Sequence, residues 1–216
     1  MLFQDRKDAG QRLAQVLKKY READVIVFAL PRGGVVLGAE IARELSAPLD
    51  LIITKKIGHP MNPEYAIGDI AEDGEPVCNT REVERINEAW FQGEVERIRK
   101  EIRRRRQKYL GDDSRPDVTA KTAIIVDDGI ATGLTMMAAV EELKSRSPAK
   151  VVVAIPVAPE DVAATLMTMA DELVSLEIDP YYLGAVGAYY RMFDQVDDAE
   201  VIAILKKSRT SHRSSE

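Results

Sequence analysis

Ala123-Ile-Ile-Val-Asp-Asp-Gly-Ile-Ala-Thr-Gly-Leu-Thr135 joins an apolar run to two acids and a small-residue turn. Thr122 to Val126 is short, nearly continuous and β-branched, the pattern of a strand buried on both faces. It leads into Asp127, Asp128 and Gly129, and a helical pattern follows from about Leu134 to Ser145. At such a strand-to-helix turn the backbone N–H groups of Ile130, Ala131, Thr132, Gly133, Leu134 and Thr135 suit a phosphate monoester, helped by the positive end of the helix dipole. Thr132 and Thr135 add hydroxyl donors, and Gly133 permits close backbone approach. Two carboxylates just before an anion cradle repel the ligand unless they meet hydroxyls or a cation. Vicinal ribose hydroxyls meet that need. Successive side chains alternate in direction, so one acid faces the ligand more directly and the other orients a loop or a metal-bound water. An isolated Asp-Gly reads as a helix N-cap; the combined pattern favours a ligand site.

Working outward, Val25 to Leu30 is a second apolar run, followed by Pro31-Arg32-Gly33-Gly34 and a helical pattern from Val35 to Leu45. Leu49 to Thr54, Val151 to Val157 and Leu173 to Ile178 are three more strands, with a helix over Glu160 to Ala170. Strands alternating with helices imply right-handed crossovers and an α/β fold: a five-stranded, mainly parallel sheet with helices on both faces. Asp5 to Tyr20 predicts a helix whose stripe of Ala9, Leu13, Val16, Leu17 and Tyr20 packs on the sheet edge. Lys55 to Glu64, with two prolines, a Gly and an Asn, predicts an irregular loop. Asp73-Gly74 suits a tight hairpin turn between Ala66 and Val77. Thr80 to Leu110 predicts one long polar helix ending at Gly111, and Lys206 to Glu216 a frayed polar tail.

The composition bounds the rest. The chain has 216 residues, 45% hydrophobic and 31% charged, enough to bury a core in one domain. Thirty Lys and Arg against 36 Asp and Glu leave a net charge of −6, so no general attraction to nucleic acid or anionic lipid is expected. The single Cys78 permits no internal disulfide and no thiolate metal cluster. No apolar run approaches the roughly 20 residues of a membrane helix, and Met1 to Gly10 lacks a signal-type apolar segment, so the expected setting is cytoplasmic. His59 and His212 are the only histidines, too few for a His-based metal site.

The 123–135 segment resembles the ribose-phosphate loop of the type I phosphoribosyltransferases, which transfer phosphoribosyl from phosphoribosyl pyrophosphate to a nitrogen nucleophile. Leu30-Pro-Arg-Gly-Gly-Val-Val-Leu-Gly38 lies where that family has its pyrophosphate loop. The resemblance implies diphosphate binding by Pro31, Arg32, Gly33 and Gly34 and a cis Pro31–Arg32 peptide. Lys55 and Lys56 fall where the family places a cation and then a mobile lid. Lys56-Ile-Gly-His-Pro-Met-Asn-Pro-Glu-Tyr-Ala-Ile-Gly68, Asp5-Arg-Lys-Asp-Ala-Gly-Gln-Arg-Leu-Ala14 and Gly184-Ala-Val-Gly-Ala-Tyr-Tyr-Arg-Met-Phe-Asp-Gln195 are similar to a poorly characterised subgroup and mark kinship without chemistry. Together the resemblance implies one domain over residues 1–205, with a lid at about 55–80 and a hood at about 179–197. It implies Mg2+ held through substrate and water near Asp127 and Asp128, with no direct protein ligand set. Arg32 and Lys56 would assist the leaving pyrophosphate, and a homodimer is the family expectation.

Two features bear on the acceptor and on rivals. Relatives using 6-oxopurines have a third acid in the ribose-phosphate loop, where this chain has Ala131; relatives using uracil tolerate Ala there. Tyr181, Tyr182, Tyr189, Tyr190 and Phe193 concentrate aromatic faces in the hood region, so Tyr181, Tyr182, Val186 and Tyr189 are candidates to meet a planar acceptor. Arg97, Arg99, Lys100 and Arg103 to Arg106 motivate a rival reading, a regulator of the same fold that binds a nucleotide and RNA without turnover. Six glutamates share that helix, so local pairing and a solvated or inter-subunit role are expected instead. A third reading is a non-catalytic nucleotide-binding partner of another enzyme.

Overall fold

The five apolar runs form one parallel sheet, and the computed structural model describes residues 2–111 and 114–213. The strands of this sheet are β1 (Val25–Ala29), β2 (Leu49–Leu51), β6 (Thr122–Val126), β7 (Lys150–Pro159) and β8 (Glu172–Asp179), in the order β2-β1-β6-β7-β8. Helices α1 (Arg6–Leu17), α2 (Gly34–Leu45), α5 (Leu134–Ser145), α6 (Glu160–Met169) and α7 (Asp198–Arg213) flank it. The period-2 geometry of the strands sends Val27, Ile124 and Val126 to the face covered by α1 and α2, and Phe28, Ile125 and Val153 to the face covered by α5 and α6. Both faces are therefore dry, which is why β1 and β6 read as unbroken apolar runs. No helix among the described residues is long and apolar enough to cross a membrane.

Beside the edge strand β2 sits a smaller body. Strands β3 (Lys55–His59), β4 (Asn62–Ile70) and β5 (Val77–Cys78) form an antiparallel sheet in that order. The expected irregular loop over Lys55 to Glu64 is thus mostly a hairpin, with its turn at Pro60-Met61. The prolines and Gly58 mark a register shift rather than a break, because Ile57, Ile67 and Ile70 are buried and hold the two strands together. Only glycine fits at position 58, where a methyl would lie 2.3 Å from the Pro63 carbonyl oxygen. The Asp73-Gly74 turn is not tight: residues 71–76 bridge β4 and β5, and Glu142 Oε2 accepts from the amides of Asp73 and Gly74 at 2.8 and 2.6 Å.

The long polar helix is interrupted. α3 (Thr80–Val83) ends before Asn87, whose side chain accepts from Trp90 N at 3.0 Å and starts α4 (Glu88–Leu110) afresh. Gly111 closes α4 in the left-handed conformation, as the sequence predicts. Phe91, Val95, Ile98 and Ile102 recur at helical spacing and bury against the hairpin sheet. In α1, Ala9, Leu13 and Leu17 are buried, Val16 is exposed, and Tyr20 is buried in the 3-10 turn that follows. The helix lies along α2 and reaches the edge strand β8. The expected frayed tail is a correction: α7 continues through Lys206 to Arg213, because Val201 and Leu205 anchor its first turns in the core. Residues 214–216 and the His212 side chain lie outside the described residues.

Candidate active site

The carboxyl ends of β1 and β6 meet, held by Leu30 N donating to the Val126 carbonyl at 2.9 Å. Beyond that bond the two turns touch directly. A methyl on Gly33 would lie 1.9 Å from Asp128 Oδ2, and one on Gly34 would lie 2.7 Å from the Val126 carbonyl oxygen. The glycines of the β1–α2 turn are therefore demanded by the acids of the β6–α5 turn. The Pro31–Arg32 peptide is cis.

Asp127 Oδ1 accepts the Asp128 amide at 2.8 Å, and Asp128 Oδ2 accepts Arg6 Nε at 2.7 Å. The two carboxyl groups also bond to each other, side chain to side chain. Burial pushes the Asp127 carboxyl well above its usual range, and the neighbouring Asp128 charge adds to this. Asp128 is raised by burial too, while Arg6 pulls it back. Past the acids, Gly133 takes a left-handed φ of 81° and opens α5. The amides of Ala131, Thr132, Gly133, Leu134 and Thr135 have no acceptor among the described residues, and Ala131 and Thr132 are exposed. Ile130 is a correction to the expected cradle: its amide donates to the Val157 carbonyl at 3.0 Å and its side chain is buried. Thr135 keeps its amide for the cradle but donates its hydroxyl to Asp69 Oδ2 at 3.3 Å.

The hood segment closes over this turn. Val186 stands above Gly129, where a methyl would lie 2.5 Å from Val186 Cγ1. The Tyr190 hydroxyl donates to the Asp128 carbonyl at 2.5 Å. Tyr182 stacks on Tyr189 with ring centroids 5.4 Å apart, and its hydroxyl is buried with no hydrogen-bond partner among the described residues. Burial pushes that hydroxyl up to about 12, with Tyr189 and Asp128 adding to the effect. Tyr189 is 2% exposed and its hydroxyl donates to Asp179 at 2.6 Å, so it supports Tyr182 rather than offering a face of its own. Tyr181 is 86% exposed and offers no sheltered surface to an acceptor.

The expected cations behave differently from one another. Lys55 pairs with Glu101 on α4, and the Arg32 guanidinium lies 3.9 Å from Asp198 at the start of α7. Neither is brought to the acid pair. Lys56 is exposed on the other face of β3, directly opposite Asp69, whose carboxyl burial raises to about 6. His59 accepts the Met61 amide at 3.2 Å within the hairpin turn. Burial, with Asp69 adding, keeps the Cys78 thiol protonated by lifting it to about 11. Arg6 and Asp69 are the contributors that residue patterns missed, while Tyr190 is one of the hood aromatics but nothing local in the sequence assigns it a bond to the Asp128 carbonyl. Arg6 lay in a stretch that signalled kinship alone, and nothing local in the sequence aims it at residue 128.

The sequence model of the phosphoribosyl transferase domain matches residues 4–182. The chain belongs to that family, and its five-stranded parallel sheet with flanking helices is the type I phosphoribosyltransferase fold. A Mycobacterium tuberculosis protein from strains H37Rv and CDC 1551, provisionally named a phosphoribosyl transferase, is 42% identical over 209 residues. The match takes in 96% of this chain and 47% of that protein, so the chain spans about half the length of the curated relatives it matches. The crystal structure of TT1426 from Thermus thermophilus superposes with a TM-score of 0.82 at 37% identity, covering 96% of this chain and 99% of that one.

Proposed function

We propose that this chain is a Mg2+-dependent phosphoribosyltransferase, moving phosphoribosyl from phosphoribosyl pyrophosphate to a nitrogenous acceptor with release of pyrophosphate. The observation that carries the reading is the convergence of two turns. An acid pair and a row of amides with no acceptor among the described residues lie on β6–α5, and the glycines of β1–α2 press against them. Amides 131–135 hold the 5′-phosphate, and Asp127 and Asp128 accept from the ribose hydroxyls. Remote phosphate binding then orients the anomeric carbon. The Gly33-Gly34 backbone receives the diphosphate beside the acids, and Lys56 supplies it with a cation. Arg32 would have to leave Asp198 to join them.

The donor set fits Mg2+ held chiefly by substrate oxygens and water. Two carboxylates stand at the turn, and oxygen donors of this kind suit Mg2+, which keeps several waters and binds through one or two carboxylates with substrate phosphates. When bound, Mg2+ would neutralise charge on the leaving pyrophosphate. The hairpin β3–β4 serves as a lid that excludes water from the sugar cation. Tyr182 and Val186 form the wall met by a planar acceptor, with Tyr189 behind them. The RNA-binding alternative draws little support from α4, where Arg97 pairs with Glu94 and Glu101, Arg99 with Glu96, and Arg106 is buried.

The test is exchange of labelled pyrophosphate into phosphoribosyl pyrophosphate with Mg2+ and a panel of free bases, beside thermal-shift measurement with the same ligands. Turnover, and a melting temperature raised by phosphoribosyl pyrophosphate with Mg2+, are expected. Asp127→Asn with Asp128→Asn should abolish turnover and leave the protein folded. Unchanged activity in that double variant would remove the acids from the mechanism.

A further inference from the structure

Arg6 opens the first turn of α1, where the helix dipole disfavours a cation, yet three separate parts of the molecule converge on it. Its Nε donates to Asp128 Oδ2 at 2.7 Å, and its Nη1 donates to the Asp194 carbonyl at 2.6 Å. Its guanidinium lies over Phe193 with Cζ 3.8 Å from the ring centroid, close enough for a cation–π contact. From the β1–α2 turn, a methyl on Gly33 would come within 2.9 Å of Nε. The paired side chains are 12% and 15% exposed, so the contact is largely shielded from water. A guanidinium is planar and cannot easily turn while it is bonded on two edges and stacked on a ring.

The consequence falls on Asp128. Arg6 takes Oδ2 and fixes the plane of the Asp128 carboxylate, which bonds side chain to side chain with the neighbouring Asp127 carboxyl and so sets the pair as a unit. Two acceptor oxygens on adjacent residues match two adjacent hydroxyls. We propose that Arg6 is a positioning residue of the sugar site, orienting Asp128 so that the acid pair accepts a 2′,3′-diol and prefers a ribose 5-phosphate over its 2-deoxy counterpart. The inference rests on the proposed binding of a sugar phosphate by residues 127–135. It adds the N-terminal helix and the Phe193-Asp194 corner to the parts that set sugar specificity.

The experiment is calorimetric titration of the full chain with ribose 5-phosphate, 2-deoxyribose 5-phosphate and inorganic phosphate, for wild type, Arg6→Gln and Arg6→Lys. Wild type should prefer the ribose sugar by about tenfold, the scale of one charge-assisted hydrogen bond. In Arg6→Gln that preference should fall to about twofold or less while the affinity for inorganic phosphate is kept, a split that loss of structure alone would not produce. Arg6→Lys restores the charge without the two-edged fork and should fall between. A preference unchanged in Arg6→Gln, or an equal loss on all three ligands, would reduce Arg6 to a structural brace and overturn the inference. Should Arg6→Gln fail to fold, Arg6→Lys decides in the same way: a reduced preference supports the inference and an unchanged one overturns it. A wild type that binds none of the three, or binds phosphate with no sugar preference, would instead bring down the reading of the site and the inference with it.

Discussion

Arg106 shows how much a single residue can hide in a charge run. In the sequence it is the last of four arginines on a polar helix, and local pairing predicts a solvated face. It is in fact 1% exposed. Its Nη2 donates to both Asp50 oxygens at 2.9 and 2.8 Å and to the Ser114 carbonyl at 2.8 Å, while Nη1 donates to the Leu51 carbonyl at 2.9 Å. Glu72 stands 3.4 Å from Nη1, its carboxyl lifted by burial to about 7 against the pull of Arg106 and Arg115. These partners come from β2, from the chain after β4 and from the chain after α4, so no window of sequence contains the signal. Removing one member of a buried ion network strands the others. Arg106→Leu should therefore destabilise the protein by about 3–5 kcal/mol in urea unfolding, whereas exposed Arg104→Ala should stay within about 0.5 kcal/mol. Equal, small effects would mean that the network contributes nothing net.

Among elements, the sequence was legible wherever one physical signal dominated. β1, β6 and β7 are β-branched apolar runs, whereas β2 is only Leu-Asp-Leu and β8 is partly exposed, and α5 begins and ends where the pattern places it. Gly111 and the acid pair were equally readable, because a left-handed cap and two adjacent carboxylates are local statements. The hairpin over residues 55–70 was not, since its prolines and glycine signal a loop while the burial that outweighs them comes from α4, far along the chain. The break between α3 and α4 lies between these cases. Asn87 is a capping residue in plain view, but the Glu- and Arg-rich flanks are good helix formers and mask it. Asn87→Ala should cost about 1 kcal/mol by freeing the Trp90 amide, read as a lowered melting temperature. No loss would indicate that the break is set by packing of Phe91 and Trp90 alone.

For the whole molecule, the hairpin body and the main sheet are coupled at the candidate site through Asp69, which is 2% exposed, lies opposite Lys56 and accepts the Thr135 hydroxyl. Burial raises its carboxyl from the ordinary value of 3.8 to about 6, with Thr135 and Lys56 only partly offsetting this. Because the folded value lies above the unfolded one, the folded state binds the proton more tightly in the window between them. The stability linked to Asp69 is therefore full below about pH 4, declines as pH rises through about 4 to 6, and levels off above. A shift of this size corresponds to at most about 3 kcal/mol. Asp69→Asn cannot ionise and keeps the shape of the contact, so its urea stability relative to wild type should climb from about pH 4 to about pH 6 and then stay flat. A stability difference independent of pH across that window would show that Asp69 ionises as readily in the folded protein as in the unfolded chain. In that case burial would exert no net pull on the Asp69 proton, and the tie between the hairpin and α5 would rest on the Thr135 hydroxyl bond, which an ionised carboxylate accepts at any pH in the window.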